Sequence, residues 1–322
     1  MASTSAIDLH SAPYVTPPTV PGDGVAAFDR MAAPRVVLDV ATIGYLAAAA
    51  GFGGRVHSVF AHACNLMCGD TLLTIAAWRV GDGPTMLRLA DGAVPDLRAA
   101  FDVGDRVVWH RDILRSAAVE LRLRRVQIWR PAAPRRVLTP ARIDARLLAV
   151  AASLAQCQRG RSSILVADGA PTVAALRDAC RTFDVESAVR HAARLVGWGE
   201  GLTPAGDDFL IGLLAGLDPF VDGDDRPGRM RDAIAILVAS CAQRTTPIAA
   251  HYLKLAAGGH YNEPLVGLRN ALLAEDDWQV VDQVLRRAIA IGASSGADTV
   301  RGLLAGLAAW LPPSNNASGE TH

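Results

Sequence analysis

The chain has 322 residues, 51% hydrophobic and 20% charged, which suits about two globular domains with a sizeable core. Thirty-two Lys and Arg balance 32 Asp and Glu, and this zero net charge argues against a dedicated nucleic-acid or acidic-membrane partner. No apolar run reaches the roughly 18 residues of a membrane span.

Met1 to about Asp23 is rich in Ser, Pro and Thr and is expected to be a disordered arm. Its start, "MASTSAIDLHSAPY", lacks the basic opening and apolar run of a signal peptide, so a cytoplasmic chain is expected. The five cysteines are scattered and odd in number, which fits reduced thiols. Cys64 and Cys68 form CxxxC without a second pair, too few ligands for zinc. Residues 24–135 read as a β-rich domain, an antiparallel sheet or small barrel. Short runs such as "RVHSVF", "TLLTIAAWRV", "TMLRLA", "DRVVWH" and "AVELRLRRVQIW" are split by Gly, Asp or Pro. In the last run Val119, Leu121 and Leu123 alternate with Glu120, Arg122 and Arg124, a strand with one solvated, Arg-rich face. Ala41 to Ala50 reads as one helix.

Arg130 to Arg142 carries three prolines and reads as a linker. Residues 136–322 read as a mainly α-helical domain, which makes the fold class α+β. Helical patterns run over Ala141–Gln158, Pro171–Thr182, Val185–Val196, Pro204–Leu217, Pro227–Ala242, Pro247–Ala257, Pro264–Ala274, Trp278–Ile291 and Ala297–Leu311. Several begin with Pro in the first turn, where its missing N–H costs nothing. "SSILVADG", from Ser162 to Gly169, reads as a lone strand.

Two stretches of this half echo each other. The spacing of Gly206, Asp208, Gly212 and "GLLAGL" recurs as Gly296, Asp298, Gly302 and a second "GLLAGL". Gly212 and Gly216, like Gly302 and Gly306, fall on one helical face. Gly inside a helix costs about 1 kcal/mol against Ala, so close packing of another backbone is expected there. The helix from Pro204 is apolar on all sides and so central, and its start needs partners for unpaired N–H groups.

Three polar stretches sit at helix starts. "GEGLTPAGDD" combines Gly199, Gly201, Thr203, Gly206, Asp207 and Asp208; it lacks the Lys of a phosphate loop and follows a helix, unlike a dinucleotide fingerprint. An ordinary cap explains Thr203 and the acids, but not the glycines beside Glu200. "RTT", Arg244 to Thr246, offers a cradle for phosphate or carboxylate, or a cap and a surface Arg. "GASSGAD" supplies Ser294, Ser295, Gly296 and Asp298. His251 and His260 are weaker candidates. A dinuclear metal site on Asp207, Asp208, Asp298 and His251 is a further reading. In the β-rich half, Ser58 and Asn65 line a cleft or bond a turn. One pocket needs donors from several elements, so the three helix starts are expected to meet.

"GEGLTPAGDDFLIG", "RTT", "GASSGAD" with its "GLLAGL", and "VHSVFAHACNL" together resemble a bacterial family of formerly unknown function. That family includes the AllH subunit of oxamate carbamoyltransferase in allantoin catabolism. The resemblance covers most of the chain beyond the arm. Ala205, Ala249 and Ser294 stand where the family pattern has Ser, Ser and Thr. The resemblance implies a subunit of a carbamoyltransferase-type enzyme acting on a small anionic ureide, with other subunits as partners and no cofactor or metal. It implies that Thr203, Arg244, Thr245, Thr246 and Ser295 hold anionic oxygens, and that Asp207 or Asp208 orients an amide N–H or acts as general base. Gly199, Gly201, Gly206, Gly296, Ser294, Asp298, Ser58 and Asn65 complete the expected binding set. Two rivals stand beside it: a non-catalytic binding or assembly subunit, and a metal-dependent amidohydrolase.

Overall fold

The computed structural model describes residues 29, 34, 36–47, 53–92, 96–133, 138–159, 163–218 and 226–311; the expected arm lies outside them. The chain divides into two compact units, Met1–Pro131 and Ala132–His322.

The first unit is a β-barrel of eight strand places built from nine strands, two of which share one place. Its strands are β1 (Val36–Gly44), β2 (Gly53–Val59), β3 (Ala63–Cys68), β4 (Thr71–Ala76), β5 (Met86–Leu89), β6 (Arg106–His110), β7 (Ile113–Arg115), β8 (Val119–Arg122) and β9 (Gln127–Trp129). Pairing runs β5-β4-β3-β2-β6-β7-β8-β1-β9, and β5 returns to β1 to close the ring. β8 and β9 follow one another along the same edge of β1, both parallel to it. The expected single strand from Ala118 to Trp129 is thus broken at Leu123–Val126, where Arg125 takes φ 58°. The alternation still holds: Val119, Leu121 and Leu123 enter the core, while Arg122 and Arg124 are exposed. Glu120 is buried instead of solvated, because Arg115 and Arg122 close over it at 2.6 and 3.2 Å.

Two local expectations are corrected. Of the helix expected at 41–50, residues 41–44 belong to β1, 45–47 form a turn, and 48–50 lie outside the described residues. Sheet bonds claim this strand on both edges, overriding the helix propensity of its alanines. Gly44 allows the Gly83–Pro84 backbone to approach; a Cβ there would lie 2.1 Å from the Gly83 carbonyl oxygen. Likewise "SSILVADG" holds a short helix at Ile164–Ala167, since no strand among the described residues of this unit is available to pair with it.

The second unit is helical: α1 (Pro140–Cys157), α2 (Ile164–Ala167), α3 (Ala170–Thr182), α4 (Val185–Leu195), α5 (Ala205–Leu217), α6 (Arg226–Cys241), α7 (Pro247–Ala257), α8 (Glu263–Leu273), α9 (Trp278–Ile289) and α10 (Ser295–Ala308). Every α5 residue except Ile211 is buried. Phe209, Leu210, Leu213, Leu214 and Leu217 are fully enclosed, each contributing about 1.5–3 kcal/mol by burial.

The echo is a structural repeat. α5 and α10 lie backbone to backbone: a Cβ on Gly212 would fall 1.8 Å from the Thr299 carbonyl oxygen, and one on Gly302 1.9 Å from that of Phe209. One turn on, Gly216 meets the Leu303 carbonyl and Gly306 that of Leu213. The contacts advance in the same direction on both helices, at a constant offset of 90 residues (212 to 302, 209 to 299). The two helices are therefore parallel and in register, and both N-termini lie at one end. The repeat extends backwards. Gly206 packs on the Leu195 carbonyl closing α4, and Gly296 on the Ala288 carbonyl near the end of α9, each at 2.1 Å from a hypothetical Cβ. α3 packs on α4, and α8 on α9, in the same order.

Candidate functional site

Parallel helices place two positive dipole ends side by side. The three polar stretches meet there. The Thr203 and Ser295 hydroxyls bond each other at 2.7 Å, joining the start of α5 to the start of α10. Thr245 donates to Asp207 Oδ2, Thr246 donates to the Leu202 carbonyl, and Gly197 packs on the Arg244 carbonyl. Gly197, Gly199 and Gly201 take φ of 72°, 116° and 86°, which lets the loop fold tightly between α4 and α5.

The backbone donors are mostly used within the fold. The N–H of Gly206 goes to the Trp198 carbonyl, those of Asp207 and Asp208 to Pro204, and those of Gly296 and Asp298 to Ile291 and Ser294. Pro204 occupies the cap position of α5 and Ser294 that of α10, and neither helix has a side-chain cap bond. Thr203 is thus not the cap that its place before a Pro implies. Thr246 is one: its Oγ1 accepts from the Ala249 N–H at 3.1 Å. Side chains, rather than bare N–H groups, are what this corner presents.

The three acids differ in their surroundings. Asp207 is fully buried and spends both oxygens, accepting from the Gly197 N–H at 2.8 Å and from Thr245. It ties two loops to α5, and burial lifts its carboxyl above the usual range against those two hydrogen bonds. Asp298 is also enclosed; its Oδ1 accepts from Ser163 at 2.8 Å and from Arg301 at 2.7 Å, while its Oδ2 has no partner. Burial raises it too, opposed by Ser163 and Arg301. Asp208, 6% exposed, leaves Oδ2 unpartnered. Burial pushes its carboxyl up to about 8, with Asp298 and Asp207 acting in the same direction; the Ser295 and Thr203 hydroxyls oppose the rise.

Sequence reasoning missed Ser163 and Arg301. Arg301 was legible as the i+3 neighbour of Asp298. Ser163 stands 135 residues from Asp298, and no local pattern links them.

Other expected residues have partners of their own. Arg244 is exposed, its guanidinium 3.9 Å from Cys241 Sγ, and it makes no bond to the acids among the described residues. Gly206 and Gly296 each lie against a backbone carbonyl that leaves no room for a Cβ. Ser58 and Asn65 form a buried network of the barrel: Asn65 donates to Ser58 at 3.0 Å and accepts from Thr74 at 2.8 Å. His251 is buried, and its pKa falls to about 4 through burial and then Lys254. Among the described residues no three His, Cys, Asp or Glu side chains are grouped to hold a metal ion, so the Asp207, Asp208, Asp298 and His251 metal reading has no geometric basis. All five thiols are free, and burial pushes Cys64 up to about 12. No helix of the described residues is long and apolar enough to cross a membrane.

No solved structure matches this chain. The AllH family N-terminal domain matches residues 35–128, the barrel almost end to end. The model described as oxamate carbamoyltransferase subunit AllH matches residues 195–307. That segment opens at the end of α4 and closes on the last residue of the second "GLLAGL", so it contains all three helix starts. Two matches to one family, covering both the barrel and the paired helices, lead to one conclusion: the chain belongs to the AllH family.

Proposed function

We propose that this chain is a subunit of a carbamoyltransferase-type enzyme, acting on a small anionic ureide in nitrogen catabolism, and that the twin helix start binds the substrate. One observation carries the reading: two parallel helices bring Thr203, Ser295, Asp208 and Asp298 together, and the two acids each keep one buried oxygen without a partner. In the reaction, oxalurate and phosphate would give oxamate and carbamoyl phosphate. The bond between the carbamoyl carbon and the amide nitrogen breaks, a phosphate oxygen takes the carbon, and the nitrogen gains a proton. Asp208, with a carboxyl near 8, is suited to moving a proton at neutral pH. Asp207 serves to hold the loops.

The shortage of cations favours a shared site. Among the described residues the cation bonded to these acids is Arg301, and it is engaged by Asp298. A phosphoryl dianion needs more positive charge than this. The reading therefore includes completion of the site by a partner subunit, as the word subunit in the family description fits.

The test has two arms. The chain alone is screened by thermal shift with oxamate, phosphate and carbamoyl phosphate against divalent cations; the anions should stabilise it. Stabilisation by a metal alone, abolished by chelator, would return the hydrolase reading. The chain assembled with its partner subunits is then assayed for carbamoyl phosphate formation. Thr203→Val and Ser295→Ala should each lower turnover about tenfold. Full turnover in both variants would leave the binding-subunit alternative, with chemistry housed elsewhere.

A further inference from the structure

Asp208 and Asp298 hold equivalent places in the repeat, yet they are held differently. Asp298 has Arg301 and Ser163 on one oxygen. At the same 90-residue offset (211 to 301), the counterpart of Arg301 on α5 is Ile211, so Asp208 has no cation from its own helix. The charged groups facing Asp208 are Asp298 across the helix pair and Asp207 on its own helix, both acidic. The other groups facing it are the Thr203 and Ser295 hydroxyls, from the preceding loop and from α10. One guanidinium, bonded to Asp298, thus stands among three buried carboxyls at the head of one helix pair, and Asp207 has its own two hydrogen bonds. That balance opposes a further negative charge on Asp208.

We infer that Asp208 meets its ligand as a neutral carboxylic acid, donating a hydrogen bond from its free oxygen to a ligand oxygen, while Asp298 stays ionised beside Arg301 and accepts from a ligand N–H. This rests on the reading of the twin helix start as a binding site and adds the protonation state that selects the ligand. The class it fits is a small amide-bearing oxyanion, with an acceptor oxygen for Asp208 and an N–H for Asp298. The acid's elevated pKa accords with the geometry: with the carboxyl near 8, the donor form prevails at neutral pH. A negatively charged oxygen beside it raises that value further, so binding tightens the hold on the proton.

The probe is oxamate, whose carboxylate keeps its charge over the whole range, titrated into the full chain by calorimetry from about pH 6 to about pH 9.5. Affinity should be flat at neutral pH and fall by up to about tenfold per pH unit above pH 8. Asp208→Asn, whose amide donates at every pH, should bind within about threefold of wild type at neutral pH and lose the alkaline decline. Wild-type affinity that rises through pH 8, or stays level across it, overturns the donor role while leaving the binding site intact. An alkaline decline that persists unchanged in Asp208→Asn also overturns it, by assigning the proton to another group. No oxamate binding at any pH overturns the site itself and this inference with it. Should the Asn variant not fold, the wild-type titration decides alone between decline and its absence.

Discussion

The two ends of the α5–α10 pair present opposite solutions to the same problem. At the C-terminal end, where carbonyls and the negative dipole gather, donors meet the acid and two of the carbonyls, while Arg269 Nε and Tyr261 Oη are left over as donors. Asp218 sits between Arg231 at 2.9 Å and Arg269 at 3.3 Å. Arg231 also donates to the Ala257 carbonyl at 2.9 Å, and Trp310 donates to that of Gly216 at 3.0 Å. Cations at a helix C-terminus complement the dipole. At the N-terminal end the charge is of the complementary sign too, since acids gather there. But Asp208 and Asp298 each leave an oxygen unmatched inside the protein. At the first end the buried acid is matched by two cations. The second carries a desolvation cost that the fold itself does not offset, and the proposed binding site rests on that difference.

The comparison is easiest to break through the glycines that hold both ends together. Gly212→Ala or Gly302→Ala drives a Cβ into a backbone carbonyl that cannot swing aside. Each should cost about 4 kcal/mol, more than ordinary overpacking, and lower the melting temperature by about 10 °C. A variant that melts like wild type would show that the helices are not in backbone contact. Next in size is Arg231→Met at the cation-matched end. It removes the closer of the two cations on Asp218 and should cost about 2 kcal/mol, with oxamate affinity unchanged. Chemical denaturation measures the first quantity and calorimetry the second; a loss of affinity would join the two ends functionally and defeat the contrast.

Asp208→Asn sharpens the contrast from the other side. The folded-state pKa of Asp208 lies above its unfolded value, so between about pH 4 and pH 8 the native state binds the extra proton. Stability from this group is therefore highest at acid pH and is lost as pH rises towards 8. Asn carries no such linkage. The variant should gain on wild type with rising pH, by on the order of 1–2 kcal/mol at pH 8, since water penetration and relaxation share the burial cost. Melting curves at pH 5 and pH 8 that keep the same gap would show Asp208 to be ionised in the fold. The smallest effect belongs to Thr246→Ala, which removes an ordinary cap beside the same corner. It should cost about 1 kcal/mol and leave oxamate affinity unchanged. A large drop in affinity would place Thr246 among the ligand contacts after all.

What was legible and what was not divides along a physical line. Alternation at Val119, Leu121 and Leu123 was enough to orient that stretch, because each side chain's burial follows from the pleat alone. The helical half was equally plain from its prolines and its 3.6-residue periodicity, and the matching Gly and Asp positions announced the paired helices. Ala41–Gly44 misled because its composition favours a helix, whereas barrel closure supplies sheet bonds on both edges of the strand. The candidate site was legible as a set of residues and opaque as a mechanism. Thr203, Thr245 and Thr246 look alike before a helix, yet one bonds a hydroxyl across the helix pair, one latches a buried acid and one caps.

The sequence by itself determined the two architectures, the repeat and the short list of polar residues, since these depend on local period, turn chemistry and the absence of a Cβ. Only the tertiary structure decided that α5 and α10 run parallel, so that their starts share one corner. It alone decided that Ser163 and Arg301 attend Asp298 while Asp208 has no cation of its own. The reason is that a buried carboxyl's charge state is set by which distant groups reach it and by how much water is excluded. Neither quantity is a property of the residue or its neighbours along the chain.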